Sequence, residues 1–306
     1  MVEMAQKRKR SNLLLWIILG GGGLFFLVLC FLALAVMFKA GGTPGLSLSS
    51  NQLAALELTG TITDSREFVE QLEDYGNRPG VRAVVVRIDS PGGGVAATQE
   101  IFEAIRKFRA ESGKKVVVSM ASVAASGGYY VACASDRIFA NRGTITGSIG
   151  VIAQWYNYGD LLRWARMQDV VIKSGELKDA GSGSRPMTKE EKAYFQALID
   201  DMYGQFVADV ARGRNLPEEE IRRLADGRVF TGQEAHENHL IDEIGTYQDA
   251  VDAAAKLGGI TGAPKLLKPP RKKFSVLDVV LGDAKSALPL DANRSQSHIR
   301  FEYLWR

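Results

Sequence analysis

Two consecutive segments of this chain each run from a β-branched stretch through a glycine-rich turn into a helical period. The first is Val84-Val85-Val86-Arg87-Ile88-Asp89-Ser90-Pro91-Gly92-Gly93-Gly94, followed between Thr98 and Arg109 by apolar residues at Ile101, Ala104, Ile105 and Phe108. The second is Val116-Val117-Val118-Ser119-Met120, then Ala124-Ala125-Ser126-Gly127-Gly128-Tyr129-Tyr130. Strand, tight turn and helix, repeated in that order, predict an α/β domain with a mostly parallel sheet and right-handed crossovers. In such a sheet the turns stand side by side at the carboxyl ends of the strands, where open α/β folds bind ligands.

The flanking pattern agrees. Leu53 to Ile62 reads as a first strand, Ser65 to Tyr75 as a helix, and 81–88 and 115–120 as the strands just named. Short strands follow at Arg137 to Ala140 and Ile149 to Ala153, a helix at about 159–167 and a strand at 169–173. Thr188-Lys189-Glu190-Glu191 carries a capping-box pattern and opens a long helix to about Arg212. Its stripe of Tyr194, Leu198, Met202 and Phe206 reads as core or subunit interface. Pro217 starts a further helix at its first position.

Ser126 is the candidate nucleophile. Its small neighbours let a substrate backbone approach closely. A helix beginning at the serine aims free N–H groups at the space in front, where an oxyanion would form. The N–H of Gly93, on the neighbouring turn, can share that oxyanion with the N–H of Gly127. Alternatively the Pro-Gly-Gly turn is a structural loop, or a phosphate cradle, although no Gly-Lys-Ser/Thr follows it. The general base is less defined. His236 and His239 fall on a late surface helix and His298 in a polar tail. A desolvated lysine can also take a proton from serine. Lys173 and Lys178 flank Ser174-Gly175-Glu176-Leu177, just before the flexible Ala180 to Ser184, and spacing leaves both open.

Five motifs occur in an order that resembles the signal peptide peptidase A family. They are Ser90-Pro91-Gly92-Gly93, Ala124 to Tyr130, Thr146-Gly147-Ser148-Ile149-Gly150-Val151, Lys173 to Asp179, and Ala225-Asp226-Gly227-Arg228-Val229-Phe230-Thr231-Gly232. The resemblance spans about residues 53–258, and without an internal repeat it is to the short form of that family. It implies the Clp protease/crotonase-like fold and a serine endopeptidase with Ser126 as nucleophile and Lys178 as general base. It implies Gly93 and Gly127 as oxyanion donors, remnant signal peptides as substrates, no cofactor, and a homo-oligomer in which a neighbouring protomer can supply Lys178. One departure is Asn238-His239, where the family usually has a glycine. Asn accepts the left-handed conformation of a helix C-cap.

Leu13 to Phe38 is a run of 26 residues without a charge, long enough to span a bilayer. Lys7, Arg8, Lys9 and Arg10 precede it, and after Lys39 no charge follows until Glu57. The basic flank therefore stays in the cytoplasm and the remainder faces outward, as in a single-pass protein of a bacterial cytoplasmic membrane. With Glu3, those four residues account for the whole net charge of +3, so nothing marks nucleic acid as a partner. The organisation expected is a basic segment at 1–12, a transmembrane helix at 13–38, a linker at 39–52, a protease domain at 53–260 and an extension at 261–306. Within that extension Phe274 to Leu281 is a candidate docking turn, and Asp283 to Arg306 reads as a loosely ordered tail. Cys30 and Cys133 are too far apart in context to pair, and nothing has metal-ligand spacing. Two other readings are a crotonase-like acyl-CoA enzyme, which an anchor facing outward disfavours, and a non-catalytic membrane scaffold.

Overall fold

The computed structural model describes residues 51–268 and 301–305. The expected transmembrane helix, Cys30, His298 and the Phe274–Leu281 turn lie outside the described residues. No helix among the described residues is long and apolar enough to cross a membrane.

A mixed, mostly parallel sheet forms the centre. Its strands are β1 (Gln52–Thr59), β2 (Val81–Ser90), β4 (Lys115–Ala125), β5 (Arg137–Ala140), β9 (Glu243–Ile244) and β10 (Lys265–Leu267), in the order β10-β1-β2-β4-β5-β9. All of these neighbours run parallel. Both faces are covered, which explains why the central strands read as unbroken apolar runs. Successive residues of β2 alternate between two cores. Val84, Val86 and Ile88 face a large core that also holds Val116, Val118 and Met120. Ala83 and Val85 face a smaller core with Val117 and Phe139, closed by Ala250, Val251 and Ala254.

Helices α1 (Arg66–Gly76), α2 (Val95–Ser112), α3 (Gly127–Ala132) and α5 (Lys189–Arg214) supply the large core, through Leu72, Ile101, Phe102, Tyr130 and Phe206 among others. Between α3 and α5 lies α4 (Gly159–Trp164), and α6 (Glu218–Leu224), α7 (Gly232–Glu237) and α8 (Tyr247–Leu257) follow α5. The capping box expected at Thr188 and Glu191 is formed, with reciprocal bonds of 3.2 and 2.9 Å.

The sheet divides at its carboxyl end. Up to Met120, β4 pairs with β5; from Val123 onward it pairs with β6 (Ile145–Gly147), which carries β8 (Val229–Thr231) antiparallel. Beside this division, β3 (Gly92–Gly94), β11 (Phe301–Leu304) and β7 (Ile152–Ala153) make a separate antiparallel sheet in the order β3-β11-β7.

Four local expectations are corrected. Residues 169–173 form no strand: Val170 and Ile172 are 80% and 96% exposed, with no strand edge alongside. Pro217 caps α6 from outside rather than occupying its first turn. The left-handed residue after α7 is His239, at φ 58°, while Asn238 stays at φ −94°. Within the expected loose tail, residues 301–304 are ordered, because β11 is built into the small sheet and Tyr303 is fully buried.

Candidate active site

Ser126 sits where β4 ends and α3 begins, 1% exposed, with φ 52° and ψ −115°. Few residues with a β-carbon adopt that conformation, and a sharp strand-to-helix turn of this kind lifts a serine hydroxyl out of the sheet. The turn is held on both sides of the serine. Ser126 N–H donates to the Gly147 carbonyl at 2.8 Å, and the Ser126 carbonyl accepts from Tyr130 N–H at 2.8 Å. The motif 146–148 thus braces the turn through its backbone.

The Pro-Gly-Gly turn is fixed as firmly. Buried Ser90 donates from Oγ to the Gly60 carbonyl at 2.6 Å and accepts from Gly92 N–H at 3.1 Å. Ile62 takes up two groups of β3: its N–H donates to the Gly92 carbonyl, and its carbonyl accepts from Gly94 N–H, each at 2.8 Å. Gly93 therefore turns its own N–H and carbonyl to the opposite side, where β11 lies. Gly92, at φ 99°, comes so close to α3 that a β-carbon there would stand 2.6 Å from Gly127 N. Ser126, Gly127, Gly92 and Gly93 are thus gathered at one point.

Among the described residues no hydrogen bond joins either candidate lysine to Ser126. Lys178 belongs to an exposed 3-10 turn, Glu176–Asp179, and makes no side-chain hydrogen bond or ion pair among the described residues. Lys173 is engaged: its Nζ donates to Asp179 Oδ1 at 2.6 Å and to the Glu176 carbonyl at 2.8 Å. Asp179 also meets Arg185 at 3.0 Å, and Arg185 pairs with Glu191. Hydrogen bonds from Lys173 and Arg185 hold the Asp179 carboxyl at about 2, well below the ordinary carboxylate range. This network orders the Gly/Ser stretch that the sequence suggests is flexible, and Tyr158 N–H adds a bond to the Gly183 carbonyl at 2.7 Å. The arm from Tyr156 to Leu177 exposes Trp164, Met167, Val170 and Ile172. His236 and His239 are exposed at the end of α7, and no hydrogen bond links either to Ser126.

Two features of the site are not legible from sequence. Thr98 Oγ1, on α2, is fully buried without a hydrogen-bond partner among the described residues, and a β-carbon on Gly127 would stand 2.8 Å from it. Beside it, Phe102, Tyr130 and Phe206 form an aromatic cluster with ring centroids 4.8 Å apart in successive pairs. The Tyr130 hydroxyl donates to Asp209, and burial pushes its phenol far above the usual range. Among the described residues no group of His, Cys, Asp and Glu could hold a metal ion.

A family model, Peptidase family S49, matches residues 108–261. A candidate protease of Synechocystis sp., slr0021, is 45% identical over 210 residues, which cover 68% of this chain and 75% of the relative. A candidate signal peptide peptidase SppA of Enterococcus faecium is 36% identical over 228 residues, 70% of this chain and 66% of the relative. Protease 4 of Haemophilus influenzae is 32% identical over 216 residues, 68% of this chain and only 35% of the relative.

Proposed function

The chain belongs to peptidase family S49, and from that premise we propose that it is a membrane-anchored serine endopeptidase with Ser126 as nucleophile and Lys178 as general base. The observation that carries this reading is the strained turn at Ser126, placed beside the backbone of Gly93 and Gly127. Neutral Lys178 takes the proton of Ser126 Oγ as that oxygen attacks the scissile carbonyl. The N–H groups of Gly93 and Gly127 receive the oxyanion. Protonated Lys178 then donates to the leaving amine, and water hydrolyses the acyl-enzyme.

Lys178 is preferred to Lys173 because the Lys173 amine is already engaged by Asp179 and the Glu176 carbonyl, whereas Lys178 has no side-chain partner among the described residues. Exposed as it is in one protomer, Lys178 must be buried by something else to lose its proton. A second copy supplies that burial: the exposed apolar arm around Lys178 favours self-association, and the partner's Lys178 would reach the Ser126 turn. The proposed substrates are remnant signal peptides and similar apolar chains. A domain held at the outer face of a membrane by residues 13–38 would meet them there.

The test is hydrolysis of an apolar signal peptide between about pH 7 and pH 10, beside Ser126→Ala, Lys178→Ala and Lys173→Ala. The expected rate rises with pH as the base deprotonates, and is lost in the first two variants but kept in the third. Retention in Lys178→Ala would move the base elsewhere. Full cellular function of Ser126→Ala would replace the enzyme with a scaffold.

A further inference from the structure

The turn that carries Lys178 is held at both of its ends by one amine. Lys173 Nζ donates to the carbonyl of its first residue, Glu176, and to the carboxylate of its last, Asp179. This closes the turn on its own segment and ties it to nothing beyond. The link outward comes from Arg185. Its Nη2 donates to Asp179 Oδ2 at 3.0 Å and to Glu191 Oε1, while its Nη1 donates to Glu191 Oε2 at 3.0 Å. Glu191 also accepts from Thr188 N–H in the capping box that opens α5. An unbroken chain of charge-assisted bonds therefore runs from the residue after Lys178 to the first turn of a 26-residue helix.

Helix α5 is the fixed end of this chain. Its Phe206, Val207 and Val210 are fully buried in the large core. Glu191 is buried too, so its carboxylate cannot exchange the guanidinium for water at little cost. The segment between Asp179 and Arg185 is braced as well. Ser182 N–H donates to the Asp179 carbonyl at 3.0 Å, and a β-carbon on Gly159 would stand 2.4 Å from the Ser184 carbonyl. The guanidinium fork grips Glu191 with two N–H groups and still reaches Asp179, a bridge that the single ammonium of a lysine does not reproduce. Isolated exposed ion pairs add little to stability. Here the pairs are linked end to end, and they finish one residue from the proposed base. That arrangement suits the placing of a side chain better than the strengthening of a fold.

We propose that Asp179 and Arg185 are positioning residues for hydrolysis: through Glu191 they fix the Lys178 turn to α5, so that the amine meets a Ser126 hydroxyl in a preset place. The proposal rests on Lys178 as the base, and holds whether that amine serves its own protomer or a partner. Among the described residues neither Asp179 nor Arg185 bonds to Ser126, so both act through Lys178. Their loss should lower kcat about tenfold to a hundredfold, the effect of misplacing a catalytic group by about 1 Å. KM should stay within about twofold, because substrate contacts are untouched. Lys173→Ala should stay near the parent, since Arg185 keeps the link to α5.

The experiment measures kcat and KM of the full chain on an apolar signal peptide, beside Asp179→Asn, Arg185→Lys and Lys178→Ala, with melting temperature and oligomeric state checked for each. Amide hydrogen exchange is read over residues 174–183. The expected result is the stated fall in kcat for Asp179→Asn and Arg185→Lys, with KM and melting temperature near the parent's and exchange at least about tenfold faster. An activated ester of the same peptide leaves a residual rate in Lys178→Ala. Adding Asp179→Asn to that variant should remove no further rate, because no base remains to be placed. A merely structural role would lower both backgrounds alike and overturns the proposal, as does parental kcat in both variants or a loss carried by KM. Should Asp179→Asn fail to fold, Arg185→Lys, which keeps the charge, decides. Parental hydrolysis by Lys178→Ala discards the base, and this role with it. Loss in Lys178→Ala with parental kcat in Asp179→Asn and Arg185→Lys keeps the base and discards the positioning.

Discussion

Ser126 holds a backbone conformation that costs a residue with a β-carbon about 1–3 kcal/mol, and its neighbours at Gly147 and Tyr130 impose it. Replacement should reveal that strain. Ser126→Gly and Ser126→Ala both remove the hydroxyl and should both lose hydrolysis by about a thousandfold or more. Ser126→Gly should nevertheless be about 1 kcal/mol more stable than Ser126→Ala in denaturant unfolding, because glycine tolerates a positive φ. Equal stabilities would mean that the turn stores nothing. A second residue makes a pH prediction. Cys133 caps the C-terminal end of α3 and is buried in the large core, and desolvation pushes its thiol up to about 12 from an ordinary 9.0. An acid whose pKa is raised on folding stabilises the native state below its unfolded value and loses that contribution as pH rises through the folded one. Cys133 should therefore resist alkylation near pH 8 in the native protein and react on unfolding, read peptide by peptide by mass spectrometry. Ready native alkylation would contradict the burial.

Elements differ in how openly the sequence declares them. The strands ending at Gly92 and Ser126 are legible because both their faces are buried, which leaves unbroken β-branched runs. The run Val170-Val171-Ile172 has the same composition and forms no strand. Strand preference reflects packing against a neighbour, and none lies beside this segment in one protomer. β11 is the opposite case. It is short, follows a polar stretch, and owes its structure to partners far earlier in the chain, Gly92–Gly94 and Ile152–Ala153, which no local pattern encodes. The end of α7 shows a subtler limit. A left-handed residue was legible there, but local bonding assigns it to His239, whose carbonyl accepts from Arg214 at 3.1 Å. Arg214 in turn ties α5 to the sheet. Its side chain is 9% exposed and makes two bonds of 2.9 and 3.0 Å to Asp242, which also accepts from Ile138 N–H at 2.7 Å. Asp242→Ala strands that guanidinium, and should cost about 3 kcal/mol by thermal or denaturant unfolding. The double change Arg214→Met with Asp242→Leu should recover part of the loss. A single variant as stable as the parent would show that water replaces the carboxylate.

For the whole molecule, one described protomer holds a strained, buried Ser126 turn packed against Gly92, and an exposed Lys178 without a side-chain partner among the described residues. The motifs marked both residues in the sequence, while the exposure of Lys178 in one chain was not legible there. Spacing along a chain does not report which copy a side chain serves. If copies of the chain complete one another, activity is a property of the assembly and should fall on dilution to monomer. The most direct measurement mixes Ser126→Ala protein with Lys178→Ala protein, each inactive alone, under conditions where mixed oligomers are verified. Recovery of part of the parent's hydrolysis is the result expected, because some sites would then pair an intact Ser126 with the partner's Lys178. Verified mixed oligomers without any recovered hydrolysis would contradict a site shared between copies.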